Sequence, residues 1–188
     1  MEELLEEISA CEICKSHLPL GSNPVVTASR NSEIMIVGQA PGTRVHKTGI
    51  PWNDPSGDRL RKWMGLSRAD FYDTERIALV PMAFCYPGRG KSGDLPPRKE
   101  CAPQWHDQIL KSMPSLKLIM LVGSYSINYY LGKRKKKTLT ETVRNFDEYL
   151  PEFAVLPHPS PRNNIWLKKN EWFEDEIVPK FRSFIRKV

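Results

Sequence analysis

The chain has 188 residues, a net charge of +6 and a pI near 9.2. This length suits one well-packed domain, so we expect 1–188 to form a single domain. It contains neither an apolar run long enough to span a membrane nor an N-terminal apolar signal core. We therefore expect an intracellular monomer, cytoplasmic or nucleoid-associated. The positive charge suits a polyanionic partner but is too common to identify one.

Four short apolar runs are typical of strands that are buried on both faces of a parallel sheet. They are rich in Val, Ile and Leu and do not alternate with polar residues. The predicted strands are 34–37, 77–80, 116–122 and 153–156. Segments with helical patterns separate or follow them, at 56–63, 97–113, 124–131 and 171–188. This alternation predicts an α/β fold, a three-layer α/β/α sandwich with a central four-stranded, mainly parallel sheet.

Three residues set the expected limits of these helices. Ser56 is a plausible N-cap for the first helix, and Gly132 ends the third. Pro179 lies inside the last apolar pattern and should disturb that helix, because proline lacks the amide hydrogen that a helix interior needs.

Polar and glycine-rich segments directly follow the predicted strands. The first strand is followed by 38–42 (GQAPG) and the fourth by 158–163 (HPSPRN). Ligands of open α/β sheets bind at the carboxyl ends of the strands. These two segments are therefore the first candidates for a functional site.

All four cysteines of the chain fall into two distant pairs. Cys11 and Cys14 form a C-x2-C pair near the N-terminus, and Cys85 and Cys101 form a C-x15-C pair in the middle. Four thiolates can hold a tetrahedral zinc or a [4Fe–4S] cluster. Four unrelated buried thiols are the alternative, and two disulfides would require an oxidising compartment.

Together these motifs resemble those of the uracil-DNA glycosylase superfamily. Segment 38–42 is similar to its first active-site motif, and 158–161 to its last, usually written H-P-S-P. The cysteine spacing resembles the iron–sulfur branches, in which two such pairs hold a [4Fe–4S] cluster. The resemblance implies a monofunctional DNA glycosylase of base excision repair that flips a base out and hydrolyses its N-glycosidic bond. Its substrate would be DNA containing uracil or another deaminated base. The cluster ligands would be Cys11, Cys14, Cys85 and Cys101, with zinc as the alternative metal.

The resemblance assigns roles to the residues of the last motif. His158 would donate a hydrogen bond to the negative charge that develops on the departing base. Ser160, Arg162 and Asn163 would contact DNA, with Arg162 at the position that fills the gap left by the flipped base. The alternative for His158 is a packed structural histidine.

Two residues between the motifs complete the expected pocket. Trp52 matches the place where relatives put a stacking Phe, and base–aromatic stacking contributes roughly 1–3 kcal/mol. Asp54 precedes a Ser-Gly-Asp and would position the attacking water and stabilise the sugar cation. The alternatives are a core role for Trp52 and a helix-capping role for Asp54.

The chain also departs from the family pattern. Gln39 and Ala40 stand where relatives supply an Asp or Glu, so the water-handling role shifts to Asp54, with Gln39 orienting water weakly or contacting the base. Met82 lies in a segment that lacks the Asn used by relatives to read uracil. We expect Gln39, Ala40, Met82 and Trp52 to surround the base and specificity to be relaxed toward other deaminated bases.

A basic run at 133–137 is expected to contact phosphates through Lys135, or else to be a solvated loop. One branch of the family that the chain resembles forms a covalent bond to DNA through a His in the corresponding loop. This run contains no His, so covalent capture of DNA is not expected. Other basic residues could extend a positive rim: Arg44, His46, Lys47, Arg89, Lys91 and Arg98.

Two other functions remain open. The absence of a carboxylate at 39–40 favours, as the main alternative, a catalytically weak DNA-damage-binding protein with the same fold. A generic nucleotide-binding enzyme is disfavoured, because the sequence has neither a G-x-G-x-x-G after the first strand nor a Walker loop.

Overall fold

The computed structural model describes residues 1–91 and 93–188. The strands in this part of the chain are β1 Ile34–Val37, β2 Ile77–Leu79, β3 Arg89–Gly90, β4 Gly93–Asp94, β5 Leu118–Val122 and β6 Phe153–Leu156. Four parallel strands form the central sheet in the order β2-β1-β5-β6, and β3 and β4 form a separate antiparallel hairpin.

Helices cover the sheet, so the predicted three-layer α/β architecture is confirmed, with a sheet that is wholly rather than mainly parallel. Every residue of β1, β2 and β6 is buried, as expected for apolar strands covered on both faces. The α-helices are α1 Glu2–Ser9, α2 Thr43–Thr48, α3 Pro55–Met64, α4 Arg68–Phe71, α5 Cys101–Lys111, α6 Ser124–Leu131, α7 Leu139–Arg144, α8 Asn164–Lys169 and α9 Val178–Ile185.

The register of the sheet brings the functional segments to one edge. Ile34 at the start of β1 pairs with both Ile77 of β2 and Leu118 of β5. At the other end, Val122 of β5 pairs with Leu156 of β6. Because all four strands run in the same direction, the segments that follow them emerge side by side.

The limits of the helices correct three expectations. Ser56 does not cap α3. Asp54 does, and its Oδ1 accepts the Gly57 N–H at 2.8 Å, with proline at the first helical position. The helix expected from 97 begins only at Cys101. Pro179 does not break the last helix, because it lies in the first turn of α9, after a π-helical turn at Phe173–Ile177.

Helix α3 is fixed against the C-terminal helices by the buried Trp63. Its Nε1 donates to Glu174 Oε1 at 2.7 Å, and Arg182 Nε donates to the Trp63 carbonyl oxygen at 3.0 Å. The indole also packs edge-on against Phe173, with 4.9 Å between ring centroids. These contacts give the segment before α3 a rigid support.

Among the described residues, no helix combines the length and apolar character that crossing a membrane requires.

Candidate active site

A cavity of about 490 Å³ lies at the edge of the sheet where the parallel strands end. Its volume is in the range of pockets that hold small organic ligands. Segments after β1, β2 and β6 line it, together with the start of α3 and the β3–β4 hairpin. Eight of the residues that the sequence singled out line this cavity: Gln39, Ala40, Trp52, Asp54, His158, Ser160, Arg162 and Asn163.

The position of Trp52 depends on its own backbone conformation and on the space that two glycines leave for it. Its φ of 56° lies in the left-handed region, which a bulky residue adopts only when its surroundings impose it. A Cβ on Gly38 would lie 2.6 Å from Trp52 Cζ2, and a Cβ on Gly57 would overlap the Trp52 carbonyl oxygen. That oxygen also accepts a hydrogen bond from Arg61 Nη1 at 3.3 Å. The indole can therefore line the cavity only because residues 38 and 57 are glycine.

His158 lies two residues after the end of β6 and presents a defined tautomer. The backbone N–H of Ser160 donates to His158 Nδ1 at 3.2 Å, so the proton of the neutral ring is on Nε2. Burial lowers the pKa of His158, and the negative charge of Asp54 partly opposes that effect. The ring is therefore neutral at pH 7 and carries one N–H donor.

Two neighbours fix the orientation of the His158 ring. The ring of Trp52 stacks on it, with 5.8 Å between centroids and an interplanar angle of 29°. On another side the backbone of Gly123 approaches closely, and a Cβ there would lie 3.2 Å from His158 Cβ. Gly123 has a φ of 92°, a conformation that favours glycine.

The loop that carries His158 is closed by hydrogen bonds from its own residues and from α3. Asn163 Nδ2 donates to the His158 carbonyl oxygen at 2.6 Å. Arg59 of α3 donates through Nη1 to the Ser160 carbonyl oxygen at 3.2 Å and through Nη2 to Asn164 Oδ1 at 2.8 Å. Sequence reasoning missed Arg59, since nothing in the local pattern connects it to a loop a hundred residues away.

Arg162 extends from this loop to the β3–β4 hairpin. Its guanidinium lies directly against Gly93, so a Cβ at that position would displace the arginine side chain. Gln39 also contacts this region, because its Nε2 donates to the Leu95 carbonyl oxygen at 3.2 Å. The hairpin therefore forms one wall of the cavity, and it places the carboxylate of Asp94 in the lining.

Asp94 is a lining residue that sequence reasoning missed. The only signal for it was the short Gly93-Asp94 turn sequence in a long segment after β2.

Asp54 both caps α3 and lines the cavity, so the two alternatives drawn from the sequence are not exclusive. Met82 and Lys135 are not among the lining residues. Met82 is 7% exposed and belongs to the core, and its backbone N–H donates to the Gly38 carbonyl oxygen at 2.9 Å. Lys135 lies in the basic run after α6.

The four cysteines line a second, smaller cavity together with Arg98 and Ser22. Among residues 1–91 and 93–188, no group of three His, Cys, Asp or Glu side chains meets the geometry of a single bound metal ion.

One thiol of this cavity accepts a backbone hydrogen bond of the kind that suits a thiolate ligand, whereas Cys14 Sγ donates to Glu100 Oε2 at 3.9 Å. The Phe84 N–H donates to Cys101 Sγ at 3.4 Å. Burial raises the pKa of Cys101 to about 12, and it also raises the pKa of Cys85. Thiols buried in this way favour the anionic form only when a positive centre is bound.

The Ser22 hydroxyl is buried in the lining of the same cavity without a hydrogen-bond partner among the described residues. An orphaned donor beside four thiols fits a metal–sulfur group, whose sulfur atoms accept hydrogen bonds.

Comparison with known proteins gives a consistent result. The family model for the uracil DNA glycosylase superfamily matches residues 24–182. A type-4 uracil-DNA glycosylase of Thermotoga maritima is 25% identical over 192 residues, covering 100% of this chain and 95% of the relative. A second type-4 enzyme, from Sulfurisphaera tokodaii, is 26% identical over 171 residues, 85% of this chain and 74% of its own. A solution structure of a candidate uracil DNA glycosylase of Methanosarcina acetivorans has the same fold, with a TM-score of 0.51 and 18% identity over 85% of this chain and 94% of its own.

We expect Gly57→Ala to destabilise the protein, although alanine normally stabilises a helix relative to glycine by about 0.5–1 kcal/mol. The added Cβ would overlap the Trp52 carbonyl oxygen, so the free energy of unfolding should fall by about 2 kcal/mol or more. Urea unfolding followed by tryptophan fluorescence measures it. Gly42→Ala is the matched control, because its Cβ would meet only Asp94 Oδ2 at 3.6 Å, and we expect it to cost about 1 kcal/mol at most. Equal losses in both variants would contradict the steric argument.

We expect His158 to remain neutral, with its proton on Nε2, at pH values below its ordinary pKa of about 6.5, because burial disfavours the imidazolium. Nitrogen NMR of the imidazole ring measures both the tautomer and the midpoint. Asp54→Asn should lower the pKa of His158 further, because the opposing negative charge is removed while Asn still caps α3. Since folding lowers this pKa, the stability that His158 contributes is present above pH 6.5 or so and is lost as the pH falls through the folded-state midpoint. A proton found on Nδ1 would contradict the assignment.

Proposed function

Because the chain belongs to the uracil DNA glycosylase superfamily, we propose that it removes uracil, and other deaminated bases, from DNA by hydrolysing the N-glycosidic bond. One observation carries the proposal. A neutral His158 with its proton on Nε2 stacks on Trp52 inside a cavity of about 490 Å³ at the carboxyl edge of the sheet. Such a cavity can hold a flipped base next to a hydrogen-bond donor and a flat aromatic surface.

His158 would act on the leaving base. As the glycosidic bond lengthens, negative charge develops on the base and positive charge on the sugar. A fixed N–H donor aimed at the developing anion stabilises it without reorganisation, because the Ser160 amide and the Trp52 ring already hold the imidazole. The neutral ring keeps the donor while it avoids a cation beside the cationic sugar.

Asp54 would act on the sugar and the water. A carboxylate near an oxocarbenium-like sugar lowers its energy by direct electrostatic attraction. A carboxylate has about four lone-pair sites, so the cap bond to Gly57 leaves acceptor capacity for an attacking water. Gln39 is the weaker candidate for this role, since its amide oxygen can accept from water but carries no charge to attract the cationic sugar.

The loop after β6 would hold the DNA. Its prolines limit the backbone, and Arg59 ties it to α3, so Ser160, Arg162 and Asn163 form a preformed surface. Arg162 can stack on bases as well as pair with phosphate. Lys135 lies outside the cavity and would contribute only phosphate attraction. We propose that the chain works as a single-domain monomer inside the cell.

We further propose that Cys11, Cys14, Cys85 and Cys101 hold a [4Fe–4S] cluster, with zinc as the alternative. All four thiols line one cavity, and the Phe84 amide and the Ser22 hydroxyl offer hydrogen bonds to sulfur. The cluster would join the N-terminal segment to the domain. Its proposed role is structural.

The base-release test uses oligonucleotides, single-stranded and duplex, that carry one uracil. We expect His158→Ala and Asp54→Asn each to lower the rate of release by about 10²–10³-fold, because each removes an interaction made with a charge of the transition state. Asn keeps the cap of α3, so the loss cannot be ascribed to unfolding. His17→Ala, at an exposed position outside the cavity, is the control and should leave the rate unchanged.

Two outcomes would change the interpretation. Full activity of Asp54→Asn would move water handling to another group, with Gln39 next. Tight binding of uracil-containing or abasic DNA without any base release would favour the damage-binding alternative, which the missing carboxylate at 39–40 supports.

The purified protein should be brown, with broad absorption near about 400 nm and about four irons per chain. Elemental analysis and the visible spectrum measure these two properties. Replacement of Cys85 or Cys101 by Ser should abolish both, because each removes one of four ligands. One zinc per chain with no visible absorption would contradict the cluster and favour the zinc alternative, and no metal at all would favour unrelated thiols.

A further inference from the structure

A buried histidine outside the cavity is hydrogen-bonded to one of its walls. His106 of α5 is 1% exposed, and its Nε2 lies 3.0 Å from the carbonyl oxygen of Pro81. Pro81 follows β2 and lines the cavity. A carbonyl oxygen can only accept a hydrogen bond, so His106 carries its proton on Nε2 and donates it to Pro81.

The other ring nitrogen of His106, Nδ1, is also hydrogen-bonded. Tyr130 Oη lies 2.7 Å from Nδ1, and since Nε2 bears the proton of the neutral ring, the tyrosine donates to Nδ1. Burial lowers the pKa of His106 to about 4 and raises the pKa of Tyr130, so both groups are neutral at pH 7. Phe84 stacks on the imidazole, with 5.9 Å between centroids and 13° between planes. The hydrogen bonds therefore run in one direction, from Tyr130 through His106 to Pro81.

This chain of hydrogen bonds determines what the wall offers to a base. Pro81 has no amide hydrogen, and the bond to His106 uses its carbonyl oxygen. Pro81 therefore offers the cavity no backbone donor, and its one backbone acceptor is engaged by a residue that does not line the cavity. A wall that hydrogen-bonds a base edge rejects analogues by factors of about 10⁴–10⁵, whereas an apolar wall discriminates only by about 10².

We propose that His106 is a positioning residue that sets base selectivity, because it withdraws the Pro81 carbonyl from the pocket and leaves the wall after β2 to recognise bases by shape alone. The inference rests on the proposed glycosylase activity and deepens it. Relaxed specificity then has two causes. One is the hydrogen bond from His106 to Pro81 behind the wall, and the other is the lack of the asparagine that relatives use to read uracil. Without the His106 donor, the carbonyl becomes an unpaired acceptor, and the wall shifts so that a base edge or water can satisfy it.

The test compares two substitutions that differ in one hydrogen bond. His106→Phe keeps an aromatic ring against Phe84 but has no donor, while His106→Gln can place an N–H near the position of Nε2. Steady-state kinetics on single-stranded oligonucleotides with uracil, hypoxanthine or xanthine give kcat and KM for each base. For the wild type we expect kcat/KM values within about 100-fold of one another. In His106→Phe the ratios should change by about tenfold, through KM more than kcat, and His106→Gln should keep them within about threefold of the wild type.

The outcomes separate this inference from the proposed function. Wild type that releases no base contradicts the proposed function and the inference with it. If the wild type is active and a folded His106→Phe variant has the same ratios of kcat/KM between bases, the inference is overturned and the proposed function stands.

If His106→Phe does not fold, Tyr130→Phe replaces it. That variant removes only the hydroxyl that holds the imidazole, and we expect the ratios to change by about fivefold; ratios that stay within about threefold of the wild type would overturn the inference. Nitrogen NMR of the wild type is the second measurement, and a His106 proton on Nδ1 would overturn the inference too.

Discussion

The parallel direction of the four central strands is the constraint on which the rest of the molecule depends. β1 pairs with β2 on one side and with β5 on the other, and β5 pairs with β6. Segments that are far apart in the chain therefore emerge at one edge, where glycine, proline and histidine replace the apolar residues of the strands. The catalytic hypothesis depends on this edge, because no local segment contains His158, Asp54 and Trp52 together.

Helix α5 connects the cysteine cavity to the cavity that contains His158. Cys101 at its first residue accepts a hydrogen bond from the Phe84 amide, and His106, more than one turn later, donates to the Pro81 carbonyl oxygen. The segment between Pro81 and Phe84 is thus fixed to one helix at both of its ends. Any movement of the cysteine pair would be passed to a wall of the pocket through bonded groups rather than through a flexible loop.

The sequence predicted the sheet well because its strands are buried on both faces and read as continuous apolar runs. It also indicated most of the cavity lining, since the strand-end motifs contain those residues. It could not indicate the contacts that hold these motifs in place. The bond from Arg59 to Ser160 and the bond from His106 to Pro81 join residues that lie 101 and 25 positions apart. Asp94 was missed for the same reason, because its place in the lining depends on how the hairpin folds over the sheet.

Local signals failed where two of them competed. Ser56 is a good capping residue, but proline at 55 suits the first helical position and leaves Asp54 to cap. Arg98 was expected on the positive rim and instead pairs with Glu100 beside the cysteine cavity. A single side chain can satisfy several patterns, and only the packing of the whole chain selects one of them.

The left-handed backbone of Trp52 has a consequence for how this protein can be engineered. A bulky residue in that conformation costs on the order of 1–3 kcal/mol, and the cost is present whether or not DNA is bound. Glycine at this position would relieve the backbone strain, but it would also remove the indole that packs against the core and His158, and the loss of a large aromatic side chain from such a site costs about 3–5 kcal/mol. The same indole therefore supports both the fold and the wall of the cavity, and a thermostable variant of this protein should be sought among residues remote from 52.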